Sequence, residues 1–292
     1  MDAPYAEVQI RADDGVDLYA RDYGPRESQL TPVVCLPGLT RNAKDFETIA
    51  PRLAKTRRVI APDFRGRGKS GRAEDPFTYR PEIELADTLA LLDHLAIGRV
   101  GIIGTSRGGI VALVMAARAL ERLAGVVFND IGPRIDKAGL LRIRSYLGVN
   151  PVLAGWSEAV NAMKATNPGF PCLSDDEWMA FARRVFRDED GRPHIDYDPR
   201  LTETFPSTDD IETGKVPELW PLLDLMADVP AVVLRGENSD LLSAQTVSEM
   251  QAHHRNLSAV TVKDRGHVPF LDEPECVAAI DQWLLEIDRS PS

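Results

Sequence analysis

Ser106 is the residue of this chain best placed to do covalent chemistry. It sits between two glycines in Gly104-Thr105-Ser106-Arg107-Gly108, after the apolar run Val100-Gly101-Ile102-Ile103 and before Gly109-Ile110-Val111-Ala112-Leu113-Val114-Met115-Ala116. The first run reads as a buried strand and the second as a helix, so Ser106 occupies the G-x-S-x-G corner known as a nucleophile elbow. Only small residues fit two positions either side of so sharp a turn, and the serine hydroxyl is left exposed at the top of a sheet. A serine hydroxyl is too weak an acid to attack a carbonyl unaided. It needs a base within hydrogen-bond reach, and the base needs an orienting acid.

Five histidines compete for the role of base. His94 ends an amphipathic helix, His194 follows a charged turn, and His253-His254 close another helix, where positive charge suits the dipole. These four read as structural or surface residues. His267 differs, because Asp264-Arg265-Gly266-His267-Val268-Pro269-Phe270 forms a loop directly after the last strand and before the last helix. Open α/β sheets place their chemistry at the carboxyl ends of parallel strands. For the acid, Asp240 is favoured. It follows the preceding strand in Arg235-Gly236-Glu237-Asn238-Ser239-Asp240, on the same sheet edge, and gives the order Ser…Asp…His. Glu237 competes nearby, and Asp130, after the strand that leads into the central segment, is the other credible acid.

These side chains can meet only if the elements around them build one sheet. Residues 6–11 and 16–23 flank Asp13-Asp14-Gly15, a hairpin signal. Buried strands are expected over 31–36, 57–61, 100–103 and 124–128. Between them, Phe46, Ile49, Ala50 and Leu53, then Ile83, Leu85, Leu89, Leu92 and Leu95, recur at helical spacing. Alternation of this kind calls for a parallel sheet covered on both faces. From 133 to 226 it stops. Helical patterns over 138–147, 157–165 and 175–186 take over, the last behind a Ser174 cap with Glu177 three residues on. The strands resume at 231–234 and 259–262, with helices over 247–253 and 275–287. One α/β domain (1–132 and 227–292) is thus interrupted by a helical insertion, far longer than an ordinary connection and of the build of a cap or lid.

Composition limits the partners. A net charge of −11 argues against nucleic acid and against an anionic membrane surface, and leaves a small-molecule substrate as the expected partner. The three cysteines, Cys35, Cys172 and Cys276, have no metal-site spacing, and an odd, sparse count fits a reduced compartment. Met1-Asp2-Ala3-Pro4-Tyr5 lacks the order of a signal peptide, and no apolar run approaches membrane-spanning length, so a cytoplasmic location is expected. Oligomeric state is not legible.

Taken together, the elbow, Asp63-Phe64-Arg65-Gly66-Arg67-Gly68-Lys69-Ser70, Gly236-Glu237-Asn238-Ser239-Asp240 and Gly266-His267 resemble the α/β-hydrolase fold family. The likeness is to its cap-bearing branch of esterases, lactonases and carbon–carbon bond hydrolases. The second motif is similar to the family's D-x-R-G-x-G-x-S loop, which implies a structural turn; a phosphate loop is rejected because G-x-x-x-x-G-K-[ST] is missing. The resemblance implies a mostly parallel eight-stranded sheet flanked by helices, with an inserted helical cap. It also implies two backbone donors for an oxyanion: the N–H of Arg107, after the nucleophile, and that of Leu39 in Pro37-Gly38-Leu39. Pro37 stands where the family often has histidine. Arg107 is unusual, since a cation at a helix N-terminus is unfavourable unless paired; it is expected to pair with a carboxylate such as Asp130 or to meet an anionic substrate group. Relatives with an aspartate nucleophile open epoxides or displace halide, whereas serine favours acyl chemistry without metal or organic cofactor. The main expectation is hydrolysis of a small or medium, fairly apolar carboxylic ester. A carbon–carbon bond hydrolase or enol-lactonase of aromatic-compound degradation is the alternative, and a non-catalytic ligand-binding member of the fold the third reading.

Overall fold

Apolar residues alternate along the central strands, so that each strand feeds two cores. In β3 (Val33–Leu36) Val34 and Leu36 point to one side, Val33 and Cys35 to the other; in β5 (Val100–Thr105) Ile102 and Ile103 divide in the same way. Strands buried on both faces belong inside a covered parallel sheet. A computed structural model, which describes residues 4–289, shows that sheet. Met1, Asp2 and Ala3, read above for a leader, lie outside the described residues.

The remaining strands are β1 (Tyr5–Arg11), β2 (Asp17–Tyr23), β4 (Val59–Asp63), β6 (Leu123–Asn129), β7 (Phe186–Glu189), β8 (Arg192–Ile195), β9 (Ala231–Gly236) and β10 (Leu257–Val262). Of the ten strands among the described residues, eight form one sheet in the order β1-β2-β4-β3-β5-β6-β9-β10. Only β2 runs antiparallel to its neighbours. Consequently β5, β6, β9 and β10 all deliver their carboxyl ends, and the loops after them, to one edge.

The helices are α1 (Ile49–Leu53), α2 (Pro81–His94), α3 (Arg107–Arg118), α4 (Lys137–Tyr146), α5 (Trp156–Thr166), α6 (Asp175–Val185), α7 (Thr208–Glu212), α8 (Trp220–Leu225), α9 (Ala244–His253) and α10 (Pro274–Arg289). α2, α3, α8 and α9 cover one face of the sheet, and α1 and α10 cover the other. α10 approaches closely because β5 and β6 offer glycines. A Cβ on Gly101 or Gly125 would come within 2.8 Å of the Trp283 or Ile287 side chain. Trp283 is thereby fully buried, with its indole N–H donated to the Pro230 carbonyl at 3.1 Å. Truncating such a residue to alanine costs about 3–5 kcal/mol. Cys35 is a small core residue, Cys276 is buried too, and Cys172 is exposed; all three are free thiols.

Between β6 and β9 lie α4 to α8; Met163, Phe170, Trp178, Phe181, Phe186 and Tyr197 of this stretch form one cluster with Val16, Leu18 and Tyr79 of the sheet domain, while Ile143 of α4 and Leu223 of α8 join the core against the sheet. Ser174 and Glu177 close a capping box at the start of α6. The segment is not wholly helical, as the sequence pattern suggested, since β7 and β8 form a two-stranded hairpin within it. Asp190 and Gly191 at its tip have φ of 51° and 81°, the two left-handed residues of a type I′ turn. The Asp-Gly pair was the signal for it. No helix among the described residues is long and apolar enough to cross a membrane.

Candidate active site

The elbow is shaped by what cannot fit around it. Ser106 has φ 50° and ψ −109°, a left-handed conformation that L-residues adopt only under constraint. A Cβ on Gly108 would lie 2.2 Å from the Leu36 carbonyl oxygen, and one on Gly104 would lie 2.6 Å from the Gly109 nitrogen. Glycine at both positions lets β5 turn directly into α3. The Ser106 N–H donates to the Asn129 carbonyl at 3.0 Å, which ties the corner to β6.

His267 arrives on the loop after β10. Its Nε2 lies 3.0 Å from Ser106 Oγ. That loop is held to the elbow by Asn129, whose side-chain amide donates to Thr105 Oγ1 at 3.1 Å and to the Pro269 carbonyl at 3.0 Å. Among the other histidines, His94, His194 and His253 stand apart from this site, and His254 Nδ1 accepts from the Asn256 N–H.

The carboxylate that reaches His267 is Asp130, not the favoured Asp240. Asp130 Oδ2 lies 2.8 Å from His267 Nδ1. Asp130 follows the last residue of β6 with φ 54°, a conformation that aspartate tolerates better than most residues. It is fully buried, and its charge is met by further donors. The Gly236 N–H donates to Oδ1 at 2.8 Å and the Ser239 hydroxyl to Oδ2 at 2.6 Å. Ser239 in turn accepts the Leu241 and Leu242 N–H groups, which orients its own proton toward Asp130.

Asp240 is drawn elsewhere by α4. The Gly139 N–H donates to the Asp240 carbonyl and the Asp136 N–H to that of Leu241, both at 2.9 Å, so the start of α4 docks on this loop. The carboxylate then meets the Arg142 guanidinium through two contacts, one of 2.8 Å. Burial alone would raise the Asp240 carboxyl, but the hydrogen bonds and charge of Arg142 outweigh it and hold the group below the usual range. Glu237 Oε2 accepts the Asp264 N–H at 3.1 Å.

Arg107 pairs neither with Asp130 nor with the space above Ser106. Its guanidinium lies 3.7 Å from Glu84 on α2. Its backbone N–H opens α3 and is among those without an intrahelical acceptor. Gly38 lies against the elbow, since a Cβ there would be 3.9 Å from Ser106 Cβ, and Leu39 lines the same space.

That space is a cavity of about 320 Å³. Ser106, His267 and Gly38 form its floor, and Ile143, Tyr146, Met163 and Phe181 from the segment between β6 and β9 contribute to its walls. Phe270, three residues after His267, packs against Phe170 and Phe181 with ring centroids 5.4 and 5.0 Å apart. A hydroxyl, an imidazole and a buried carboxylate joined in series can move a proton from an attacking oxygen to a leaving group.

The model of the family described as "Alpha/beta hydrolase family" matches residues 33–280. The chain belongs to that family and is a hydrolase. A solved alpha/beta hydrolase from Novosphingobium aromaticivorans is 40% identical, with a TM-score of 0.88 over 97% of this chain and 99% of that one. The 3-hydroxybutyrate-oligomer hydrolase of Cupriavidus necator is 30% identical over 257 residues, 86% of this chain and 87% of that protein. A 2-hydroxymuconate semialdehyde hydrolase from a Pseudomonas species is 40% identical over 91 residues, 31% of each.

Proposed function

We propose that the protein hydrolyses carboxylic esters through an acyl-enzyme, with Ser106 as nucleophile, His267 as general base and acid, and Asp130 as the orienting carboxylate. The observation that carries this reading is the unbroken series from Ser106 Oγ to His267 Nε2 and from Nδ1 to Asp130, at 3.0 and 2.8 Å, on the floor of a largely apolar cavity. His267 takes the Ser106 proton as Oγ bonds to the ester carbonyl. Asp130 stabilises the imidazolium, and the carbonyl oxygen gathers negative charge toward the backbone N–H groups of Leu39 and Arg107. Collapse expels the alcohol with the proton returned by His267. Water, deprotonated by the same imidazole, then releases the acid. The segment 133–226 acts as the cap that shapes the acyl pocket, and its aromatic walls favour apolar acyl groups of small or medium size. Similarity to an oligomer hydrolase that spans most of both chains supports the ester reading.

Carbon–carbon bond hydrolysis is the second reading. It is favoured only by the local similarity to the semialdehyde hydrolase. A panel of p-nitrophenyl esters and a ring-cleavage dienoate, assayed with the parent and with Ser106→Ala, decides between them. Ester turnover lost in the variant is expected. Preference for the dienoate supports the second reading, and binding without turnover of either would overturn both.

A further inference from the structure

Arg67, Glu84 and Arg107 form a buried charged cluster that the reaction as described does not use. Glu84 is fully excluded from solvent, Arg67 is 1% exposed and Arg107 9%. Arg67 Nη2 lies 2.8 Å from Glu84 Oε1, and Arg107 Nη1 lies 3.7 Å from Glu84 Oε2. Neither contact is an aligned hydrogen bond, so charge is what holds the three together. Two positive groups around one negative group leave the cluster with a net positive charge. Burying ions is costly, and a well-packed apolar replacement of such a cluster is often as stable or more so. Stability is therefore a poor account of why it is there.

Its connections suggest a better one. Arg67 Nε donates to the Leu39 carbonyl at 2.8 Å, and its Nη1 donates to the Arg65 carbonyl at 2.6 Å. The guanidinium is also packed near the faces of Phe64 and Tyr79, at 5.8 and 5.6 Å from their centroids, and has little freedom to move. At its other end, the cluster reaches the side chain of Arg107. Leu39 and Arg107 are the two residues whose backbone N–H groups face the carbonyl oxygen in the proposed reaction. They sit on different elements, the loop after β3 and the first turn of α3 after β5, and must hold one spacing. We infer that Glu84 is a positioning residue: through Arg67 and Arg107 it ties the Leu39 loop and the start of α3, the two oxyanion-binding segments, to each other.

This inference rests on the ester-hydrolase reading, and it accounts for two features at once. Arg107, a cation at a helix start, is offset by Glu84, and Arg67 acts as a clamp on the Leu39 loop. The cluster's net positive charge also lies close to residues whose N–H groups face a developing anion in the proposed reaction, and its burial limits the screening of that charge.

The test uses Glu84→Gln, Arg107→Gln, Arg107→Lys and the double Gln variant in the full chain. Active sites are counted by titration with a fluorophosphonate, and p-nitrophenyl butyrate is the substrate. Removing an oxyanion donor outright costs about 10²–10³ in kcat. Loosening one should cost about 10- to 30-fold per titrated site, with KM moving less than about twofold. The two Gln substitutions should be markedly non-additive, and Arg107→Lys should recover part of the loss. A merely structural role would reduce the number of titratable sites and leave kcat per site at the parent value, which would overturn the inference. Arg107→Gln leaves the Arg67–Glu84 pair in place and carries the test should Glu84→Gln not fold. If the parent neither hydrolyses the ester nor takes the fluorophosphonate, the ester reading fails by itself. Amide hydrogen exchange then decides the anchoring: exchange at Leu39 and position 107 should quicken in the Gln variants, and unchanged exchange refutes it.

Discussion

Replacing Asp130 by asparagine removes the charge behind the imidazole while keeping its size. In the parent, this carboxylate accepts from three donors, the Gly236 N–H, the Ser239 hydroxyl and His267 Nδ1–H. An asparagine has one oxygen to offer, and its NH₂ group must face one of those donors. Whichever way it turns, either His267 loses its acceptor or a buried donor is left unpaired. In the proposed reaction, the imidazolium formed as Ser106 attacks would also lose its counter-charge. The same change in a Ser-His-Asp protease costs about 10⁴ in kcat. Here the expected loss is 10³- to 10⁴-fold, about 4–5.5 kcal/mol of transition-state stabilisation. Asp240→Asn is the matched control. That group faces Arg142, so its loss should change kcat by less than about fivefold and cost about 1–2 kcal/mol of stability through the weakened tie to α4. Both are read as kcat on p-nitrophenyl butyrate, corrected for folded fraction by circular dichroism. A large loss in Asp240→Asn with near-parent activity in Asp130→Asn would refute the assignment.

Two further outcomes follow from the geometry. Gly108→Ala forces a Cβ to 2.2 Å from the Leu36 backbone carbonyl, and since no flexible side chain can yield, we expect a stability loss of about 3 kcal/mol in urea unfolding; a loss below about 1 kcal/mol contradicts the packing. Asp63 is buried beneath the Ala43 and Lys69 amides, and burial pushes its carboxyl up to about 6 from 3.8. The native state therefore keeps this proton to higher pH than the unfolded chain. Its contribution is complete below about pH 4 and lost by about pH 6, a decline of about 3 kcal/mol as pH rises. Urea unfolding of the parent and Asp63→Asn at both ends of this window should show the parent losing ground to the variant, whereas a constant difference excludes the shift.

Much of this architecture could be read from residue order. The continuous apolar runs of β3 and β5, buried on both faces, and helical spacing in α2 and α3 are local properties, and they point to a parallel sheet whose loops share one edge. The corner at Ser106 and the loop of His267 were legible for the same reason. The acid was not. Asp130 and Asp240 both follow sheet strands, on neighbours β6 and β9, and both satisfy the order Ser…Asp…His. What separates them is three-dimensional. Arg142 claims Asp240 from a helix nearly a hundred residues away, and Ser239 with the Gly236 N–H builds a polar seat for Asp130. The partner of Arg107 was hidden likewise, because Glu84 reads as an ordinary polar position near the start of α2 until the fold buries it.

Covalent capture of the intermediate tests the account most directly. p-Nitrophenyl butyrate turnover is quenched in acid within the first catalytic cycles, and the protein is digested and mapped by mass spectrometry. A butyryl group on the peptide carrying Ser106, absent from Ser106→Ala, is the predicted result. Acylation of a different residue, or ester hydrolysis that persists in Ser106→Ala, would contradict it.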